Sequence, residues 1–248
     1  MRHWRWRRII AVGALIALVL VVVGAAWYLQ PQQTLPDADA ALVPSATVAV
    51  DQSNGRITFT PTDGATTGFI LYPGAKVPPK AYAPVARAIA EQGYLVVIPS
   101  MPLNLAVLGV DAALGVMESH PEITTWAVGG HSLGGAMAGQ FVANHPDKAA
   151  GLVLWGAYSA ADVSHTSAQS AVIYGTLDAG ADQIASATSM ALLPAGSAVT
   201  VIEGGNHANF GSYTGQPNDP PATIPREDQQ AQAVAATVAL LSKISAPI

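Results

Sequence analysis

The sequence predicts an α/β protein with a doubly wound, mostly parallel, eight-stranded sheet, preceded by one N-terminal transmembrane helix. Three observations carry this. Six short apolar runs recur along the chain, each followed by a segment able to form a helix or loop, and continuous apolar runs suit parallel strands buried on both faces. Two further β-rich runs stand before them with a turn signal between. Residues 9–29 form an uncharged apolar stretch behind a basic N-terminus.

The first eight residues, MRHWRWRR, hold four of the eleven basic side chains. As a helix, the following 21 residues would measure roughly 31 Å, the thickness of a bilayer's hydrocarbon core. Arginines before it and only acids in QPQQTLPDADA after it place residues 1–8 in the cytoplasm and the rest outside. Trp4, Trp6, Trp27 and Tyr28 fall where interfacial aromatics belong. The resulting expectation is a single-pass cell-membrane protein with a signal anchor. A secreted form cut near Gly24-Ala25-Ala26 is the alternative, although the apolar run exceeds the usual signal-peptide core of about 7 to 15 residues.

Residues 30–45 are polar, proline-containing and aperiodic, and read as a linker. Residues 46–248 make one domain, large enough to bury a core without staples. The chain after residue 30 holds all sixteen acids and seven bases, a net charge of −9, which argues against nucleic-acid binding. The absence of cysteine excludes disulfides, a thiol nucleophile and thiolate-bound zinc. The six histidines show no H-E-x-x-H pattern, so neither metal nor cofactor is expected.

ATVAVD (46–51) and RITFTP (56–61) flank Ser53-Asn54-Gly55 and predict an antiparallel hairpin. The six parallel candidates are TGFILYP (67–73), YLVVIP (94–99), TTWAVGG (124–130), GLVLWG (151–156), SAVIYG (170–175) and SAVTVIEGG (197–205). AYAPVARAIAEQG (81–93) has apolar residues at helical spacing and a glycine stop.

Open α/β sheets bind ligands beyond the carboxyl ends of their strands. There, Gly130-His131-Ser132-Leu133-Gly134 matches G-x-S-x-G between a strand and a helix candidate. Such an elbow exposes a serine at a helix N-terminus, where the Leu133 N–H faces a developing oxyanion. A serine hydroxyl needs a neutral imidazole to attack an acyl carbon, and the imidazole needs an acid to orient it. Asp178 follows the 170–175 strand and His207 the last one, giving the order Ser132, Asp178, His207. The rivals are Asp162, Asp182 and Glu203 for the acid. For the base, His131 and His145 belong to the turn and the helix end, and His120 and His165 to polar loops. Pro73-Gly74-Ala75 after the first parallel strand offers the Ala75 N–H as a second oxyanion donor, with Gly74 allowing close approach. Gly74, His131, Leu103 and Phe210 are the candidates for substrate contact.

YPG-K-V, AYAPVARAIAEQGYLVVIP, MPLNLA and GGHSLGGAMA occur in that order, and from about residue 46 onward the chain resembles a compact, uncapped group of the α/β-hydrolase family, with dienelactone hydrolases as more distant relatives. Dienelactone hydrolases carry cysteine where this chain has Ser132, and many lipases carry HGGG where it has Tyr72-Pro73-Gly74-Ala75. The resemblance implies a serine hydrolase of carboxylesterase type, with Ser132 as nucleophile, His207 as base and Asp178 as its orienting acid. Only Ala157–Ser170 separates two strands where larger hydrolases insert a cap, which suits small or accessible ester substrates. Lactone, dienelactone or thioester hydrolysis, and a non-catalytic binding domain, are the alternatives.

Overall fold

The computed structural model describes residues 18–21, 24, 29–216 and 218–245. The chain divides into two compact units, Met1–Pro31 and Gln32–Ile248. In the first, residues 18–21 and 24 are helical, and the expected span over 9–29 lies for the most part outside the described residues. Among the described residues no helix is long and apolar enough to cross a membrane.

The second unit is built on one eight-stranded sheet: β1 (Val48–Asp51), β2 (Arg56–Pro61), β3 (Thr67–Tyr72), β4 (Leu95–Pro99), β5 (Thr125–His131), β6 (Gly151–Trp155), β7 (Gln169–Gly175) and β8 (Ala198–Ile202). Their order across the sheet is β1-β2-β4-β3-β5-β6-β7-β8. β2 is antiparallel to both β1 and β4, and every later pairing is parallel. Asn54 and Gly55 both take positive φ, the conformation that the tight hairpin turn requires.

The apolar runs of β3, β4 and β6 are continuous because both faces of the sheet are covered there, whereas the edge strand β8 leaves Val199 and Val201 exposed. In β3, Phe69 and Leu71 join one core with Val96, Ile98, Val153 and Trp155. Ile70 and Tyr72 point the other way and join Leu95, Val97, Val128 and Leu154. Helices of the second unit begin with α1 (Pro36–Ala40), followed by α2 (Ala83–Ala90), α3 (Ala112–Glu118), α4 (Leu133–Asn144), two single-turn helices α5 (Ala181–Ile184) and α6 (Ala187–Met190), and the long α7 (Arg226–Ser245). Helices α2 and α7 contribute to the first core, α3 and α4 to the second. Trp155 fixes α7 to the sheet, its Nε1–H donating to the buried Thr237 hydroxyl at 3.1 Å. β8 forms the edge beyond β7 and ends at Ile202, short of the expected 205, so that Glu203–Gly205 turn the chain toward the site.

The segment 30–45 differs from the linker expected of it. From Gln32 on, it packs on the domain. The N–H of Gln32 donates to Lys76 O at 2.8 Å and that of Leu35 to Ser212 O at 3.0 Å. Thr34 bridges Tyr213, and the Ser212 hydroxyl donates to Asp37 Oδ2 at 2.6 Å. Its composition gives it little regular structure of its own, yet its backbone groups find partners distant in sequence, a satisfaction that periodicity does not reveal.

Candidate active site

The strand β5 runs into α4 through Ser132, whose φ of 54° and ψ of −123° lie in a region that side-chain-bearing residues rarely occupy. Two backbone bonds hold it there: Ser132 N–H donates to Trp155 O at 2.9 Å, and Ser132 O accepts from Ala136 N–H at 3.1 Å. The flanking glycines are steric necessities. A Cβ at 134 would stand 2.1 Å from Tyr72 O, and one at 130 would stand 2.4 Å from Gly134 C. The end of β3 therefore presses directly on the first turn of α4. Among the described residues neither the Ala75 nor the Leu133 N–H has an acceptor within the protein.

Three residues past the end of β7, Asp178 is buried and uses both carboxylate oxygens. Oδ2 lies 2.8 Å from His207 Nδ1, and Oδ1 accepts the Gly180 N–H at 2.7 Å. A carboxylate only accepts, so Nδ1 of the neutral His207 ring carries the proton and Nε2 keeps its lone pair. The His207 side chain is 16% exposed, against 1% for Asp178, so the ring is the part of the pair that meets solvent. Gly156, at the end of β6 with φ +51°, leaves room for this contact, since a Cβ there would lie 2.9 Å from Asp178 Oδ2 and 3.2 Å from His207 Nδ1.

Ser132, Leu133, Asp178 and His207 line one cavity of about 460 Å³. Its remaining walls include the apolar Ala136, Ala157 and Ile184 and the polar Gln216, Asn218 and Asp219. Among the described residues the His207 ring bonds to Asp178 and no hydrogen bond to Ser132 Oγ is formed, a contact that in unliganded sites is often long and tightens with substrate.

The four residues expected to touch substrate do not line this cavity. His131 is wholly buried, because β5 alternation turns it away from the neighbouring serine, and it bonds to Tyr82 Oη at 2.8 Å and His207 O at 2.9 Å. Burial holds its imidazole well below the ordinary value, with the nearby His207 adding to the effect. Phe210 is also buried, stacked on Trp155 with centroids 6.0 Å apart. Gly74 is buried and donates its N–H to Tyr82 Oη at 3.0 Å. Leu103 stays on the surface, 60% exposed.

Sequence reasoning missed Gly156, Tyr82 and Asp219. Asp219 accepts the N–H groups of His207 at 3.2 Å and Ala208 at 2.7 Å, clamping the turn that carries the imidazole. Burial raises its carboxyl above the usual range, while the backbone bonds oppose this. The spacing of Asp219 twelve residues after His207 gave no signal, since the loop between them has no periodicity. Among the described residues no group of three or more His, Asp or Glu side chains is placed to hold a metal ion.

A serine on a strained strand-to-helix turn beside a carboxylate-bound imidazole, at the carboxyl ends of a mostly parallel sheet, defines the class of α/β hydrolases. The sequence profile of the alpha/beta hydrolase family matches residues 68–231, and the chain belongs to that family. A crystal structure described as a predicted CIB-like hydrolase from Thermoplasma acidophilum is similar in fold. Its TM-score is 0.59 at 14% identity, over 77% of this chain and 99% of that one. No curated protein matches the chain.

Proposed function

We propose that the protein is a serine hydrolase that cleaves carboxylic esters through an acyl-enzyme. His207 Nε2 takes the proton of Ser132 as Oγ bonds to the ester carbonyl carbon, and the Leu133 and Ala75 N–H groups receive the oxyanion. The imidazolium returns its proton to the departing alkoxide as the carbonyl–oxygen bond breaks. Water then repeats the sequence, releasing the acid and free Ser132. Asp178 stays ionised throughout and stabilises the imidazolium.

The observation that carries this reading is the 2.8 Å His207–Asp178 contact in the cavity that Ser132 also lines. That cavity, with no helix between β6 and β7 to roof it, favours small or accessible esters. Residues 9–29 serve in this account as a membrane anchor that leaves the domain extracytoplasmic, an arrangement that protease protection of membrane vesicles tests.

The full-length protein in detergent should hydrolyse short-chain aryl esters, and Ser132→Ala should remove the activity. Equal rates for the two would end the proposal, and turnover of lactones or thioesters in preference to esters would redirect it.

A further inference from the structure

Behind the nucleophile lies a set of buried polar groups to which the proposed reaction assigns no step. The Gly74 N–H donates to Tyr82 Oη at 3.0 Å, Tyr82 Oη lies 2.8 Å from His131 Nδ1, and His131 Nε2 lies 2.9 Å from His207 O. The directions of these bonds follow from chemistry. A carbonyl oxygen cannot donate, so His131 Nε2 carries the ring proton, Nδ1 accepts, and the Tyr82 hydroxyl donates to it.

One imidazole thus joins two loops. At one end is Gly74, next to Ala75, and a Cβ at 74 would lie 2.9 Å from His131 Nδ1, so loop and ring are in close contact. At the other end is the carbonyl of His207 itself, with the two imidazole centroids 4.6 Å apart. Both His131 and Tyr82 are fully buried, where water cannot replace a lost partner, so each bond resists breaking.

We infer that His131 is a positioning residue, fixing the separation between the oxyanion loop at Gly74-Ala75 and the base at His207 through its bonds to Tyr82 and the His207 carbonyl. This rests on the roles proposed above for Ser132 and His207. Without the link, the His207 carbonyl loses its donor, the turn keeps the bonds of Asp219 to the His207 and Ala208 N–H groups and of Gln229 to Asn206 on the chain before it, and the Nδ1 contact to Asp178 loosens. Apart from each other, the titratable groups that face the two histidines among the described residues are Asp178, Asp219 and Tyr82.

The test compares full-length wild type, Tyr82→Phe, His131→Gln and His131→Asn, each checked for folding by circular dichroism and counted for reactive serines with a fluorophosphonate. Glutamine reaches about as far as Nε2 and can donate to His207 O, whereas asparagine is too short. In His131→Asn and Tyr82→Phe, kcat per titrated site should fall by about 10- to 100-fold while KM changes by less than about 3-fold. The acid limb of kcat/KM should move to lower pH, because a looser Asp178 contact stabilises the imidazolium less. His131→Gln should recover part of both.

Wild-type kcat and an unmoved limb in His131→Asn and Tyr82→Phe would overturn the inference, as would glutamine behaving no better than asparagine. Should His131→Asn fail to fold, Tyr82→Phe decides by the same two readouts. Full activity in Ser132→Ala would instead remove the nucleophile assignment, a separate failure.

Discussion

Replacing Gly134 by alanine concentrates on one atom the close approach on which the elbow depends. The added Cβ would stand 2.1 Å from Tyr72 O, 2.5 Å from Pro73 O and 2.6 Å from Tyr72 C, all backbone atoms. Ordinary contact begins near 3.4 Å, so α4 and the end of β3 must separate by more than an ångström. Tyr72 cannot yield alone, because it is registered against Gly130 in the central ladder of the sheet. Overpacking without a flexible neighbour costs about 3 kcal/mol or more, which for a domain of this size lowers Tm by about 6–12 °C. The same separation carries Pro73-Gly74-Ala75 away from Leu133 and splits the proposed oxyanion site, so kcat should fall about 100-fold. Gly115→Ala in α3 is the control: nothing lies within 4 Å of its Cβ, and alanine there should add about 0.5–1 kcal/mol. Calorimetry with aryl ester turnover on both variants reads these effects. A Gly134→Ala protein with wild-type Tm and kcat would refute the packing argument and the part it assigns to the elbow glycines.

Three further outcomes follow from the same geometry. Asp178→Asn should keep the fold yet lower kcat by about 10⁴-fold, measured on the aryl ester, since an amide no longer favours the Nδ1-protonated ring or the imidazolium. Ser132→Gly should abolish hydrolysis and raise Tm by about 2–4 °C: relief of about 1–3 kcal/mol of backbone strain outweighs the entropy of an added glycine. His131 is held neutral in the fold, so its contribution to stability is present above its ordinary value of 6.5 and is lost as pH falls below that, when the unfolded chain binds a proton that the folded one refuses. Urea unfolding at pH 7.5 and pH 5 should show a loss with a slope of up to about 1.4 kcal/mol per pH unit that His131→Gln lacks.

The sheet was legible because burial on both faces writes itself as unbroken apolar runs. β3, β4 and β6 read directly from TGFILY, LVVIP and GLVLW, and Asn54-Gly55 announced the hairpin through a backbone need that few residues meet. The elbow was legible for a related reason, since glycines at 130 and 134 mark contacts that no side chain tolerates. Asp178 and His207 were expected from the rule that strand ends are where this architecture collects its chemistry, and the fold brings the two side chains into contact.

What depends on side-chain direction or distant pairing was not legible. His131 is adjacent to Ser132 in sequence but faces the core, and its partner Tyr82 comes from a helical turn 49 residues earlier. Phe210 looked available after the histidine, yet stacking on Trp155 removes it from the cavity. The polar segment before residue 46 carries no periodic pattern, and only the placement of Lys76 and Ser212 shows why it lies against the domain.

The central claim is that Ser132 is a nucleophile activated by the His207–Asp178 pair. Its most direct measurement is reaction of the full-length protein with a fluorophosphonate, followed by mass mapping of the modified peptide. The account predicts one adduct on Ser132, formed far more slowly in His207→Ala and Asp178→Asn and absent in Ser132→Ala. An unmodified Ser132, or a labelling rate indifferent to those three substitutions, would contradict it.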